Sequence, residues 1–409
     1  MRHLQLAAIC LALACADAAA PRTPPVAALL PLTTVDQRGP VGATVNEPPT
    51  VRALAADGRL VSGAAVTFAA TLGTLGASSV NTGADGTASV PWTLGLGDGE
   101  VRATIGSLPP VVFRATGRPR NFEITVRWQT PPTPEARLAV EQAVATLERI
   151  IWEDLPDVAL DAAAVCPLQG SPAATLTETV DDVLILARIG PMDGPGGAGA
   201  QGFPCLIRDP GTQTIVGFIR FDEADYPSLT EGLRREFALH EMVHALGLVP
   251  ALLSITTPGG FARQCLQLPS TGEPNPLVQD THFSCPNAVR AFDRMGGTRY
   301  AGLKVPLENG ATRALGPGTL NHHWRKTSLS HELMTGWFVA GQPGPLSLLT
   351  VGALADLGYS VVFDAAEPMT LPATIASTVL SREATSVVEW PGPTTGPSFR
   401  SVAVKPALK

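Results

Sequence analysis

The five residues His240-Glu241-Met242-Val243-His244 constrain this chain more than any other segment of it. Side chains four apart on an α-helix lie on one face about a turn from each other, so two imidazoles at this spacing can meet one atom if the segment is helical. Neutral imidazole nitrogen suits a divalent ion such as zinc, which in catalytic sites takes three protein ligands and keeps a fourth position for water. Glu241 sits beside the pair, where a carboxylate can take a proton from an attacking water and return it to a leaving group. The fold must then supply a helix here, a surface to pack it on, and a third ligand from elsewhere.

The surroundings fit such a helix. Pro227 punctuates the chain, Ser228 with Glu231 reads as a capping box, and the helix is expected to run to about Gly247. Gly247 suits the left-handed conformation that turns a chain sharply away from a helix end. Upstream, Phe122 to Trp128 alternates like a strand, and Pro134 to Trp152 has helical spacing at Leu138, Val144, Leu147 and Ile151. Strands are expected at Val183 to Ile189 and Ile215 to Phe221, separated by a loop rich in Gly and Pro. Residues 121–364 thus read as an α+β domain. Residues 26–117 read differently, as short alternating segments broken by turn signals such as Ala84-Asp85-Gly86, the pattern of an all-β sandwich. No polar or metal-binding cluster stands out there, which favours a spacer. The tail, 365–409, shows no motif and is assigned no role.

A length of 409 residues also implies two domains, and a net charge of −7 gives no basic excess for nucleic acid. The chain opens with Arg2, an apolar run from Leu4 to Ala14 and small residues after it, so residues 1–20 read as a signal peptide and the protein as secreted or cell-surface. Cys15 after Ala12-Leu13-Ala14 resembles a lipoprotein cleavage site, and a lipid anchor there stays open. No later stretch is long and apolar enough to span a membrane. Cys166, Cys205, Cys265 and Cys285 are expected to form two disulfides. Three connectivities are allowed, and Cys166–Cys205 with Cys265–Cys285 is favoured because shorter loops close more readily.

The third ligand must come from His282, His322, His323 or His331, and three of these cluster in "GTLNHHWRKTSLSHELMTG". In the compact metzincin motif the third His would fall at position 250, which is Pro. The cluster instead resembles the leishmanolysin family of metzincins, where an insertion separates the zinc helix from a His that precedes Trp and, after a short gap, Glu-Leu-Met. His323-Trp324 and Glu332-Leu333-Met334 stand in those places, and the likeness extends through "YAGLKVPLEN" and "LSLLTVGALADLGYSVVF". The resemblance implies a metzincin-type zinc peptidase domain with one zinc ion on His240, His244 and His323, Glu241 as base, and Met334 in the turn beneath the metal. It implies a metalloendopeptidase acting on protein or peptide substrates, and the chain is expected to be a monomer. It also implies that the strand before the zinc helix, here Ile215 to Phe221, offers its edge to substrate, and the insertion from about Leu248 to Asn321 is expected to wall the cleft. His322 stays an alternative ligand to His323, while His282 and His331 are expected outside the ligand set. "GRLVSGAAVTFAATLGTLGASSVNTGADGTASVPWTLG" resembles bacterial immunoglobulin-like domains of exported proteins, so the competing expectation is an adhesion or binding protein with a degenerate zinc domain. Against that, Glu241 and all three implied ligands are present.

Overall fold

The computed structural model describes residues 24–161, 164–166, 174–249, 254–256, 260, 262–267, 281–297, 304–308, 321–336, 338, 341–342, 344–371 and 400–403. The leader, Cys15 and most of the tail lie outside the described residues. The chain divides into two compact units, one formed by residues up to Gln37 with Glu47–Thr93 and Asp98–Ala115, the other by Arg38–Asn46, Leu94–Gly97 and everything from Thr116 onward.

The amino-terminal region is all β. Strands β1 (Ala28–Pro31), β3 (Thr50–Leu54) and β7 (Thr87–Ser89) form one sheet. A second has the order β2 (Asp36–Pro40), β10 (Val111–Arg118), β9 (Gly97–Thr104), β4 (Ala65–Ala70) and β6 (Ser79–Asn81), with β5 (Thr74–Leu75) and β8 (Trp92–Thr93) as a separate pair. In β3, β4, β9 and β10 buried and less buried residues alternate, so each strand gives one face to a core. Phe68, Trp92 and Phe113 are among the largest fully buried side chains. Two sheets, each with a single buried face, make a β-sandwich.

The second unit is built on one sheet, in the order β11 (Ile124–Trp128), β16 (Val183–Gly190), β18 (Thr214–Asp222), β17 (Ala200–Asp209) and β24 (Arg400–Ala403). Strands β11, β16 and β18 are parallel, β17 is antiparallel to β18, and β24 joins β17 in parallel. Every residue of β17 and β18 is buried, because both faces of the sheet are covered. Helices α1 (Pro134–Ile150) and α2 (Glu231–Ala245) share one core with Ile185, Ile219 and Phe221. On the other face Leu184, Val216, Phe218 and Phe203 pack with residues of the short pairs β12 (Val158–Ala159) with β15 (Thr179–Val180) and β13 (Ala164–Cys166) with β14 (Ala174–Leu176). Cys166 is disulfide-bonded to Cys205 on β17, and Cys265 to Cys285, so the favoured pairing is the one formed.

Several local expectations need correction. The buried face of α1 runs through Ala136, Ala139, Val140, Ala143, Leu147 and Ile150, while Leu138 is 46% exposed. Three small alanines share that face with Val140, Leu147 and Ile150, and of the leucines only Leu138 is turned to solvent. The cap of α2 is Thr230, whose hydroxyl accepts from Leu233 N at 3.3 Å; Ser228 lies in the preceding 3-10 turn and donates to Asp225 O. Ile215 to Phe221 falls within β18, which has β16 on one edge and β17 on the other, so it has no edge to offer. The tail contributes β24 against Leu206–Asp209.

The rest of the described chain frames the end of α2. It includes the pair β19 (Ser254–Thr256) with β20 (Ala262–Gln264) and the sheet β21 (Leu266–Gln267), β22 (His282–Phe283) and β23 (Val305–Pro306). Helices α3 (Pro286–Arg294), the single turn α4 (Lys326–Leu329) and α5 (Leu348–Asp356) follow. Asp356 on α5 accepts from the Asn287 and Ala288 N–H groups at the start of α3, which meets two of that helix's unpaired amide donors.

Candidate metal centre

Helix α2 lies unusually close to the sheet. A Cβ on Gly202 of β17 would fall 2.0 Å from the Glu241 carbonyl oxygen, and one on Gly217 of β18 would meet Ala245 at 3.0 Å. Only glycine lets the two backbones approach this far. The end of α2 is tied to the sheet and to the segment after α5: Thr214 Oγ1 donates to Ala245 O at 2.8 Å and Tyr359 OH to Leu246 O at 3.0 Å. Gly247 follows at φ 114°, a left-handed value, and turns the chain away.

His240 and His244 project from α2 and are 3% and 6% exposed. His240 Nδ1 lies 2.7 Å from Leu333 O, and His244 Nδ1 lies 2.7 Å from Leu248 O. A carbonyl can only accept, so both Nδ1 atoms carry the proton and both Nε2 atoms present lone pairs. His323 Nε2 stands 3.1 Å from each of these Nε2 atoms. It could donate to one of them at most, so one close nitrogen pair faces lone pair to lone pair unless a cation lies between. Three nitrogens at about 2.0–2.1 Å from a tetrahedral zinc are roughly 3.3 Å apart, close to the spacing found. Burial holds His240 well below the usual histidine range, helped by His244, and pushes His244 down to about 4; both are then neutral, as metal ligands must be. The donor set fits a divalent ion.

The third histidine is held by a separate framework. Asn321, at φ 64°, turns the chain; its N–H donates to Glu308 O, and Glu308 N–H donates to His323 O, both at 2.9 Å. Trp324 N–H donates to Met334 O at 2.9 Å, and its indole Nε1 donates to Thr350 Oγ1 at 2.9 Å. Met334 is fully buried, next to the Leu333 carbonyl that fixes His240. Glu332 shapes this turn. Its buried carboxylate accepts from Met334 N at 2.6 Å, Ser347 Oγ at 2.7 Å and Thr350 Oγ1 at 2.6 Å, and these donors oppose the upward push of burial on its pKa. One carboxylate therefore joins the turn, the Trp324 anchor and α5.

Glu241 is 5% exposed, and burial pushes its carboxyl up to about 8 against the pull of the Gly202 N–H and Arg220. A cation on the three imidazoles would draw it down again. A cleft opens here, bordered by the three histidines, Glu241 and His322, with Ala200, Gly202, Val249, Gly336 and Phe338. His322 is pushed down to about 3 by burial and by His244. Sequence reasoning did not find Ala200, Gly202, Gly336 or Phe338, which carry no chemical signature and meet the site only through the fold. His331 is outside the cluster, with its Nδ1 3.1 Å from Ser330 Oγ, and His282 lies on β22. Of the insertion, Val249 borders the cleft, while 250–253, 268–280 and 309–320 lie outside the described residues. Asp154, Asp181 and Asp182 also lie within reach of one another, but the first two are exposed and Asp182 accepts from the Leu155 and Glu123 N–H groups.

No protein-family model matches the chain, and no curated protein does. Among solved structures, the D0-D1 domain of intimin matches with 26% identity over 22% of this chain and 44% of that one, at a TM-score of 0.18. A 282-residue carboxy-terminal fragment of intimin, solved with the intimin-binding domain of its translocated receptor, matches with 26% identity over 22% and 31% of the two chains at 0.18. The Yersinia pseudotuberculosis adhesin InvE matches with 16% identity over 36% and 42% at 0.19. The chain thus spans less than half of each, and scores this low leave the argument with the sheets and the site themselves. Two disulfides fit an extracellular or cell-surface setting, and among the described residues no helix is long and apolar enough to cross a membrane.

Proposed function

We propose that this chain is an exported zinc-dependent peptidase of the leishmanolysin-like metzincin kind, hydrolysing protein or peptide substrates as a monomer. The reading is carried by the convergence of three buried Nε2 atoms, two of them fixed by Nδ1 bonds to backbone carbonyls, beside a buried carboxylate. His240, His244 and His323 would hold the ion, which supplies Lewis acidity toward water and a carbonyl. Glu241 takes a proton from the attacking water and delivers it to the amine as the C–N bond breaks. The Gly202 N–H orients that carboxylate. Substrate docking shifts from β18 to β17: β24 pairs with Leu206 to Asp209 only, and among the described residues Ala200 to Phe203 have no strand on that edge. Ala200 and Gly202 border the cleft, so an extended peptide added to this edge would pass the metal site. Backbone pairing of this kind confers affinity with little sequence preference.

Metal analysis of the purified protein with a casein assay tests the reading. About one zinc per chain, with hydrolysis abolished by chelator and restored by zinc, is expected. Hydrolysis indifferent to chelation, or a chain that binds no metal, overturns it. A second reading, an exported adhesion or binding protein whose sandwich does the work, is favoured by the amino-terminal β-sandwich. It expects bound metal to have no bearing on function and casein to stay intact.

A further inference from the structure

Among the described residues, the proposed reaction leaves one polar side chain that borders the cleft unassigned. Three bordering imidazoles are ligands and Glu241 is the base, while Ala200, Gly202, Val249, Gly336 and Phe338 have no side-chain hydrogen-bond donor. Among the described residues that border the cleft, His322 is then the donor that remains. Its position is set by the same turn that delivers His323. Consecutive side chains of an extended strand point to opposite sides. At 322 and 323 both residues border one cleft, with ring centroids 6.5 Å apart, where Asn321 turns the chain in the left-handed region and Glu308 clamps the residues on either side of His322.

Hydrolysis of an amide places negative charge on the carbonyl oxygen when water adds to its carbon. A donor already fixed near that oxygen lowers the barrier, because it need not reorganise as the charge appears. We propose that His322 is a catalytic residue, its imidazole N–H donating a hydrogen bond to the scissile carbonyl oxygen as that oxygen becomes negative. The bookkeeping of the reaction is unchanged. The water oxygen bonds to carbon, the C–N bond breaks, the water's proton travels through Glu241 to the amine, and the His322 proton stays on its nitrogen. An imidazole keeps at least one N–H whether neutral or charged, so the role does not depend on its titration. This inference rests on the peptidase reading and extends it.

The test compares the wild type with His322→Ala and His322→Gln. Four quantities are read: zinc content, melting temperature, kcat and KM on a peptide, and affinity for a phosphinic peptide whose tetrahedral oxyanion imitates the addition product. Zinc content and melting temperature should stay at wild-type values. For His322→Ala, kcat should fall about 10²-fold with KM little changed, and phosphinate affinity should fall by a similar factor. His322→Gln, which keeps an N–H donor, should recover part of both. A kcat within about threefold of wild type, or unchanged phosphinate affinity, overturns the proposal. So does loss of zinc in His322→Ala, which would make His322 a ligand. An active wild type with an equally active His322→Ala removes this inference alone, whereas an inert wild type removes the peptidase reading and the inference together.

Discussion

The two units bury different things. In the amino-terminal unit Thr82 is the buried polar residue among those described, its hydroxyl donating to Val61 O at 2.6 Å and accepting from Ala64 N at 3.0 Å. The second unit buries Asp182, Arg188, Arg208, Arg220, Asp222, Glu236, Glu308 and Glu332 besides the three histidines and Glu241. Removing a polar or charged group from water costs free energy unless it finds partners, so a fold that buries many must build the partners as well. Around Glu332 and His240 those partners are visible. A sandwich with a single hydrogen-bonded threonine inside has a core to maintain. The second unit builds a candidate site.

Four substitutions test that contrast. Glu241→Gln should have the largest effect, lowering peptide hydrolysis by at least about 10³-fold with zinc retained, as read by turnover and metal analysis. It should also raise the melting temperature of chelator-treated protein at pH 8, since it removes a carboxyl that burial pushes up to about 8. Gly202→Ala comes next: with a Cβ 2.0 Å from the Glu241 carbonyl oxygen, α2 must shift, and urea denaturation should show a loss of about 3 kcal/mol together with reduced turnover.

Glu236→Gln is smaller and depends on pH. Burial pushes Glu236 up to about 7 from 4.5, so its contribution to stability is fully present below about pH 4.5 and is lost as pH rises through about 7. The variant should flatten that decline, worth on the order of 2 kcal/mol, when denaturation at pH 4.5 and 7.5 is compared. Thr82→Val should be mildest, costing about 1 kcal/mol with hydrolysis unchanged. A marked fall in turnover from Thr82→Val would break the contrast between the units.

How much of this was legible in the sequence varied with how local each feature is. The pair on α2 is set by a spacing of four, and the alternation of β3, β4, β9 and β10 by a period of two; both can be read from short windows. His323 was reached through the resemblance carried by Trp324 and Glu332-Leu333-Met334, because nothing local joins it to residues 79 positions away. Ile215 to Phe221 showed as a strand but not as a central one. A strand buried on both faces reads as a plain apolar run whatever its place in the sheet, and β17 was not recognised from the sequence. Gly202 and Gly217 were unreadable for a related reason: the helix they admit comes from another part of the chain. Leu138 misled because it has the hydrophobicity of a core residue at a position α1 turns to solvent.

The separation of 79 positions between His244 and His323 would give a metal centre here a thermodynamic meaning beyond chemistry. An unfolded chain offers the His240 and His244 pair at short range, but the third imidazole only after a long loop has closed. The complete ligand set therefore belongs to the folded ensemble. An ion at a thousandfold excess over its dissociation constant would stabilise that ensemble by about 4 kcal/mol, so the melting curve should follow free zinc concentration. A bound ion would then act as a gauge of whether two distant stretches of polypeptide have found each other.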